Sequence, residues 1–370
     1  MTAPAARRLV APLAKPVAGA LVRARTRAWA EHSRLFAVGD GARWSVSEDA
    51  TELEARARRL GLEVGPAGWA RFAERQSVFL TSHFEALEPR WLDSSHRLGT
   101  AYLHGRPGTP GAPEFDTAFE TIRRFHDRIV RVQVTHAEMQ ELALAAGIPP
   151  ERVFRIPIGI DLEHFPLASA SLRAEARDAL GLPASAFVVG SFQKDGVGWG
   201  DGLEPKLVKG PDVLVQALAG VRTAVPELHV LLTGPARGYV RRELELGGIP
   251  HVHVHAHSRS ELARAYHALD VYLVASRQEG GPKGVLEAMA TGVPLVTTRV
   301  GQAPELVEHG ADGWLVDVED VDALAAAVVR VRDGAAETRA AGRQKAEAHA
   351  NERLDARWAE LLEGFVERVG

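Results

Sequence analysis

Cysteine is absent from this sequence of 370 residues, so it offers no disulfide framework and no thiolate as nucleophile or metal ligand. An excess of positive charge is missing as well, because the net charge is -4. Proteins that bind nucleic acid use a basic surface field, which this composition does not predict. We therefore expect a cytoplasmic protein whose fold depends on packing alone and which has no nucleic-acid partner.

Long apolar runs are also missing. Near the N-terminus, Arg7, Lys15 and Arg23 interrupt every apolar stretch before it reaches the length of a signal-peptide core or a membrane span. Residues 6–34 are instead typical of a basic helical segment. Such a segment packs on its own domain or lies on an anionic membrane surface. Peripheral contact with the inner membrane face is therefore one expectation, and membrane crossing is not.

Short apolar segments that alternate with helical patterns are abundant, which is typical of parallel sheets covered by helices on both faces. The fold class is therefore α/β, and the length, with 46% hydrophobic residues, indicates about two domains. Strands are predicted at 35–38, 77–80, 129–134, 153–156, 187–190, 229–232, 251–255, 271–274, 294–297 and 314–316. Helices are predicted at 48–60, 115–127, 137–146, 211–224, 237–246, 260–268, 282–290, 320–332 and 337–369.

Turn residues bracket residues 157–186, which predicts the domain junction there. We expect an N-terminal domain over 1–175, a C-terminal domain over 176–345 and a terminal helical segment over 346–370. The run GRPGTPGAP is too rich in glycine and proline for a helix or strand, so residues 105–113 should form a loop.

The segment from Glu279 to Glu287 carries the clearest chemical pattern. It follows a predicted strand and opens a helix, so Gly280 and Gly281 would expose backbone amides at the positive end of the helix dipole. That arrangement suits a diphosphate. At a rise of ~1.5 Å per residue, the two carboxylates are separated by a span comparable to a bound diphosphate. One carboxylate can therefore contact a sugar and the other a ribose.

This segment resembles the nucleotide-sugar site of the retaining glycosyltransferases of the large family four, typified by sucrose and phosphatidylinositol-mannoside synthesis. Two glutamates in this spacing, followed by AMATGVPLVTTRVGQAPELVEHGADGWLV, carry the resemblance, and PIGIDLEHF and KGPD (209–212) extend it over residues 157–329. The family has the GT-B fold. The resemblance thus implies two Rossmann-like domains facing across a cleft, with a C-terminal helix that crosses back to the first domain.

The resemblance also implies a role for individual residues. Glu287 would bind the ribose hydroxyls, Glu279 would lie near the transferred sugar, and Lys209 with a second cation would bind the diphosphate. The family usually has an arginine as the second cation. We assign that position to Lys194, with Lys206 as the competing choice.

Further donor contacts are implied around the same turn. Pro282, predicted as the first helical residue, and Lys283 would line the donor site with the two glycines before them. Gly281 stands where the family usually has an aromatic residue, which leaves the donor sugar open. His257 would lie near the nucleotide base, and His104, in YLHG, would face the sugar.

Four histidines at 251, 253, 255 and 257 alternate with apolar residues and would share one face of a strand. A zinc site needs three or four ligands that converge, so we favour a half-buried strand over a metal site. The sequence also has no clear Asp-x-Asp motif, and no divalent ion or other cofactor is expected.

The implied activity is metal-independent transfer of a sugar from a nucleoside-diphosphate sugar, with retention, to the hydroxyl of a glycan, a lipid-linked acceptor or a small molecule. A sugar phosphorylase or epimerase on the same fold is an alternative. A regulator that binds nucleotide-sugar without turnover is another.

Overall fold

The computed structural model describes residues 33–39, 45–86 and 88–367. Nearly all of the basic segment predicted over 6–34 lies outside these ranges. The chain forms two compact units. Of the described residues, the first unit contains those up to Leu103, Asp116–Ile156 and those from Asp355 onward, and the second contains His104–Phe115 and Pro157–Leu354. Within the described ranges, no helix is both long and apolar enough to cross a membrane.

A parallel sheet of five strands forms the centre of the first unit, and its strands lie side by side in chain order. They are β1 (Leu35–Val38), β2 (Ser77–Leu80), β3 (Arg97–Ala101), β4 (Ile129–Val134) and β5 (Val153–Arg155). Its helices are α1 (Ser45–Arg59), α2 (His83–Ala86), α3 (Pro89–Leu92), α5 (Ala137–Ala145) and α14 (Asp355–Leu362), with 3-10 turns at Ala67–Phe72, His126–Arg128 and Pro150–Arg152. Helix α4 (Pro113–Arg124) begins in the second unit and continues in the first.

Strand β3 is the central strand of this sheet, and the predicted strands do not include it. Its sequence, RLGTA, lacks a continuous apolar run because Arg97 and Gly99 interrupt it. The glycine has a packing reason, since a Cβ at Gly99 would lie 2.6 Å from the Phe79 ring and 3.2 Å from the Phe365 ring. Close ring packing, which no local pattern reveals, therefore determines the residue at this position.

The second unit contains a parallel sheet of six strands in the order β11-β10-β9-β6-β7-β8. The strands are β6 (Phe187–Ser191), β7 (Leu228–Thr233), β8 (His251–Val254), β9 (Val271–Val274), β10 (Leu295–Thr298) and β11 (Trp314–Val316). Its helices are α6 (Ala170–Ala179), α7 (Pro211–Ala224), α8 (Gly238–Leu246), α9 (Arg259–His267), α10 (Lys283–Thr291), α11 (Ala303–Leu306), α12 (Val321–Asp333) and α13 (Ala336–Ala348), with 3-10 turns at Leu207–Lys209 and Asn351–Leu354. This is the doubly wound Rossmann order, which reverses direction between β6 and β9.

Residues 157–175, expected in the first domain, pack in the second unit. The backbone N–H of Ile158 donates to the Gln302 side chain at 2.9 Å. Farther along, Arg173 and Arg177 both pair with Asp270, at 2.5 and 2.6 Å. These polar contacts join the chain to the second sheet from Pro157 onward, so the observed junction lies earlier than the pattern of turn residues suggests.

The single terminal helix predicted over 337–369 is wrong, because the chain forms α13, a 3-10 turn and α14 there. The break occurs where the backbone around Ala350 pairs with Ile160. The Ile160 N–H donates to the His349 carbonyl at 3.0 Å, and the Asn351 N–H donates to the Ile160 carbonyl at 2.9 Å. These bonds replace the helical ones. The chain then enters the first unit, where α14 packs Trp358 edge-on against Phe79.

Candidate functional site

The carboxyl ends of β6 and β9 carry most of the residues predicted for donor binding. In doubly wound sheets, ligands bind outside the carboxyl ends of the strands at the point where the strand order reverses. Gln193 and Lys194 directly follow β6, and Ser276 and Glu279 follow β9. The topology therefore brings together two segments that are more than 80 residues apart in the chain.

Glu279 is the centre of a hydrogen-bond network and is only 8% exposed. One carboxylate oxygen accepts from Gln193 Nε2 at 2.9 Å and from Ser276 Oγ at 2.8 Å. The other accepts from Lys209 Nζ at 2.6 Å. Gln193 Nε2 also donates to Ser276 Oγ at 2.7 Å. The carboxylate is thus fixed from three sides, and Lys209 offsets its charge.

Gly210 explains why Lys209 lies so close to Glu279. Its φ is 61°, in the left-handed region, and a Cβ there would overlap the carbonyl oxygen of Ala275. Only glycine allows this approach to the end of β9. Pro211 then begins α7, which has the bounds predicted from the sequence.

Three lysines form a cationic cluster beside Glu279. Burial, and then the charge of Lys209, lowers the pKa of Lys194. Burial, then Lys209 and Lys194, lowers the pKa of Lys206. The charges of these three side chains act on one another. Lys194 and Lys206, which the sequence analysis set as alternatives, therefore both lie near Lys209. The Lys194 ammonium also lies 4.9 Å from the centre of the Trp199 ring.

Glu287 lies on α10, which ends at Gly292 with φ 74°, as predicted. The helix begins at Lys283, so the assignment of Pro282 as the first helical residue is wrong by one position. Pro282 is the N-cap, with an extended ψ of 111°. Tyr266, on α9, donates its hydroxyl to Glu287 Oε2 at 2.8 Å. The two glutamates therefore have different partners.

Residues from other segments of the chain pack tightly against the turn at Gly280 and Gly281. A Cβ at Gly281 would lie 2.8 Å from the Ile158 side chain and 3.0 Å from that of Gln302. On another side, a Cβ at Gly301 would lie 2.8 Å from the Glu279 carbonyl oxygen. These neighbours fill the space that an aromatic residue at position 281 would need.

His104 belongs to the second unit, although it follows a strand of the first. Its ring packs edge-on against Phe115, with 5.6 Å between ring centres. Phe115 packs in turn with Val208, the residue before Lys209. In the same segment, Thr109 Oγ1 donates to Gln278 Oε1 at 3.1 Å. Residues 104–115 thus bring His104 to the unit that contains Glu279 and the lysines.

His257 is exposed and follows β8, so β6 and β7 lie between its strand and β9. Its backbone N–H donates to the Glu261 carboxylate at 2.7 Å, near the start of α9. Within β8, the His253 ring contacts the Gly234 carbonyl at 2.7 Å. Among the described residues, no group of three possible ligands could hold a metal ion.

The sequence prediction missed a buried ion pair, Asp195 with Arg237, whose side chains are 1% and 0% exposed. The two groups are 3.0 Å apart. Arg237 also donates to the carbonyls of Ser191 and Thr233, at 2.6 and 3.1 Å. Burial raises the pKa of Asp195 even though the arginine opposes this shift. The pair holds the loop that contains Lys194, and its only sequence signal is a charged residue at each of two strand ends.

Comparison with known proteins finds a family match in the second unit and similar folds among solved structures. Residues 202–333 match the family described as glycosyl transferases group 1. The D-inositol 3-phosphate glycosyltransferase of Saccharomonospora viridis is 33% identical over 210 residues, covering 53% of this chain and 46% of the relative. The chain spans about half the length of the curated relatives it matches.

Two solved structures share the fold. Anabaena HepE, in complex with UDP and glucose, has a TM-score of 0.71 at 19% identity, covering 90% of this chain and 99% of that one. The sucrose-phosphate synthase of Thermosynechococcus elongatus has a TM-score of 0.63 at 22% identity, covering 78% and 73%. Residues 202–333 are thus similar to glycosyl transferases group 1, and the two parallel-sheet α/β units have the GT-B fold of these solved structures.

Proposed function

We propose that this protein transfers a sugar, with retention, from a nucleoside-diphosphate sugar to an acceptor hydroxyl. The lysine cluster at the strand-order reversal of the second sheet is the observation that carries the proposal. Glu279 and Glu114 offset part of the charge of the three lysines, and Asp195 pairs with Arg237, so an excess of positive charge remains in a partly buried place. A diphosphate is the ligand that this excess stabilises best.

The lysines would act mainly on the leaving group. As the bond between the sugar and the diphosphate breaks, negative charge grows on the departing phosphate, and preorganised cations stabilise that charge. Lys194, Lys206 and Lys209 would do this without a divalent ion. The amides at Gly280 and Gly281, which precede α10, would add donors for the same oxygens.

The two glutamates would orient the donor. Glu287 would accept hydrogen bonds from the ribose hydroxyls, and Glu279 would contact the sugar through the oxygens that Lys209 and Gln193 now hold in place. His104 would bind a sugar hydroxyl. The acceptor oxygen would attack the face from which the diphosphate leaves, and the departing phosphate oxygen would take the acceptor proton.

Binding is tested first, with a thermal-shift panel of UDP-, GDP-, ADP- and TDP-sugars. A ligand that binds the native state raises the melting temperature by linkage. Lys209→Met should abolish the shift. Lys345→Met is the matched control. Lys345 lies on α13 and pairs with Asp312, so its replacement should leave the shift unchanged. A panel in which no nucleotide-sugar raises the melting temperature would contradict the proposal.

Turnover is tested with the donor that binds. Release of nucleoside diphosphate in the presence of acceptors, unaffected by a chelator, is expected, and NMR of the product should show the anomeric configuration of the donor. A product of inverted configuration would exclude retention. Binding without any release, across glycan, lipid-linked and small acceptors, would favour a regulator, and dependence on orthophosphate would indicate a phosphorylase.

A further inference from the structure

A buried tyrosine, Tyr266, hydrogen-bonds to Glu287. Tyr266 is fully buried, on the side of α9 that faces the core. Its hydroxyl donates a hydrogen bond to Glu287 Oε2 at 2.8 Å, at the edge of the core. A phenol buried in apolar surroundings needs a partner, and here the partner is a partly exposed carboxylate. The contact therefore fixes one oxygen of Glu287.

Behind Tyr266 stands a second buried tyrosine, Tyr272 on β9. Its hydroxyl lies near the Tyr266 hydroxyl and the backbone of Phe192. The two tyrosine rings are 5.1 Å apart, and the Phe192 ring lies 4.7 Å from Tyr266 and 5.4 Å from Tyr272. This cluster has little freedom to move, because rings in such contact hold one another in place.

Helix α10 comes close to this cluster because of a glycine. A Cβ at Gly284 would overlap the Tyr272 hydroxyl. Gly284, one turn before Glu287, has no side chain, and this lets helix α10 pack directly against the Tyr272 hydroxyl. The glutamate is thereby within reach of Tyr266.

The direction of the hydrogen bond is fixed by protonation. Burial, and then the charge of Glu287, raises the pKa of Tyr266 well above its ordinary value. The phenol therefore stays a donor throughout the physiological range. Glu287 Oε2 is therefore the acceptor of this bond.

We propose that Tyr266 is a positioning residue that orients Glu287 for the ribose hydroxyls of the nucleotide, with Tyr272 connecting it to Phe192 at the end of β6. This inference rests on the proposed function. Phe192 is followed directly by Gln193, which holds Glu279. One frame of packed rings, with a hydrogen bond to a glutamate at each end, would therefore orient both glutamates, at the ribose and at the sugar.

The experiment measures how well the protein senses ribose hydroxyls. Calorimetry is done with UDP, GDP and ADP, with their 2′,3′-dideoxy counterparts and with inorganic pyrophosphate, on the intact chain and on Tyr266→Phe. The intact chain should prefer the ribonucleotide that it binds over the dideoxy form. In Tyr266→Phe this preference should fall about tenfold or more, as expected for loss of a hydrogen bond to a charged group. Pyrophosphate affinity should not change.

Tyr239→Phe is the matched control, since Tyr239 lies on α8 and its ring packs with Arg242. It should keep the full preference for ribose. If Tyr266→Phe fails to fold, Tyr272→Phe replaces it and should reduce the same preference without affecting pyrophosphate. A merely structural tyrosine would instead weaken all ligands alike.

The two proposals fail in different ways. An intact chain that binds none of the three nucleoside diphosphates overturns the proposed function. An intact chain that prefers the ribonucleotide, alongside a tyrosine variant with the same preference, overturns only the role of Tyr266.

Discussion

Burial and two neighbouring lysines disfavour the charged form of Lys206 in the folded protein. Its pKa is lowered below the ordinary lysine value of 10.5, so at neutral pH the charged form costs folding free energy. Stability should therefore rise as the pH increases through the lowered pKa. By the same sign, Lys206→Met should raise the melting temperature at pH 7 while weakening nucleoside-diphosphate binding about tenfold or more.

Thermal melts and calorimetry on Lys206→Met and Lys345→Met would check this. The second variant loses an ion pair and should gain no stability. A lower melting temperature for Lys206→Met would mean that its charge stabilises the fold.

The two glutamates should respond differently to loss of charge. Glu287→Gln should chiefly raise the donor KM, because ribose contacts are equal in ground and transition states. Glu279→Gln should lower kcat, since contacts at the sugar strengthen as its bond breaks. The latter change also releases Lys209 from its 2.6 Å ion pair, so the nucleoside diphosphate should bind at least as tightly as before. Steady-state kinetics with calorimetry would decide, and the reverse pattern would overturn the donor orientation.

The sequence predicted the two glutamates, Lys209 and the choice between Lys194 and Lys206, because a contiguous motif or a nearby strand end marks each of them. It did not predict Gln193 and Tyr266. Their roles depend on contacts across 86 and 21 residues of chain, which no local pattern encodes.

At the scale of elements, the loop after β6 depends on the buried pair of Asp195 and Arg237. Arg237→Met would leave Asp195 buried without its partner, which we expect to destabilise the protein by about 3–5 kcal/mol. Adding Asp195→Asn should recover part of this loss, because the amide needs no counter-charge. Chemical denaturation of the single and double variants measures both effects. A double variant no more stable than Arg237→Met would show that the arginine acts through its carbonyl contacts instead.

Elements with a strong local signal were predicted well, and those that depend on distant contacts were not. Helix α7 has Pro211 at its start and an unbroken apolar face, and its predicted bounds agree with the structure. Strand β3 was missed because its glycine makes room for aromatic rings. The terminal helix was drawn too long because Ile160, almost 190 residues earlier, takes over the backbone hydrogen bonds around Ala350.

At the scale of the whole molecule, the last described residues complete the first unit. Arg56 pairs with Asp355 at 2.8 Å, and Leu361 and Phe365 are fully buried. A chain that ends at Leu354 should therefore lose amide protection in β2 and β3, while β6 and β9 keep theirs. Hydrogen exchange measures this directly. Equal loss in both sheets would mean that the two units unfold together.

The division of the chain between the two units determines which segments must be kept together when the protein is engineered. The backbone passes from one unit to the other after Leu103, Phe115, Ile156 and Leu354, so each unit is assembled from separate stretches. Recombination at a single junction would separate residues that pack together in one unit. A graft of the second unit into a related chain must carry residues 104–115 together with 157–354. Otherwise Val208 would face a foreign residue in place of Phe115, and the lysine beside it would be displaced.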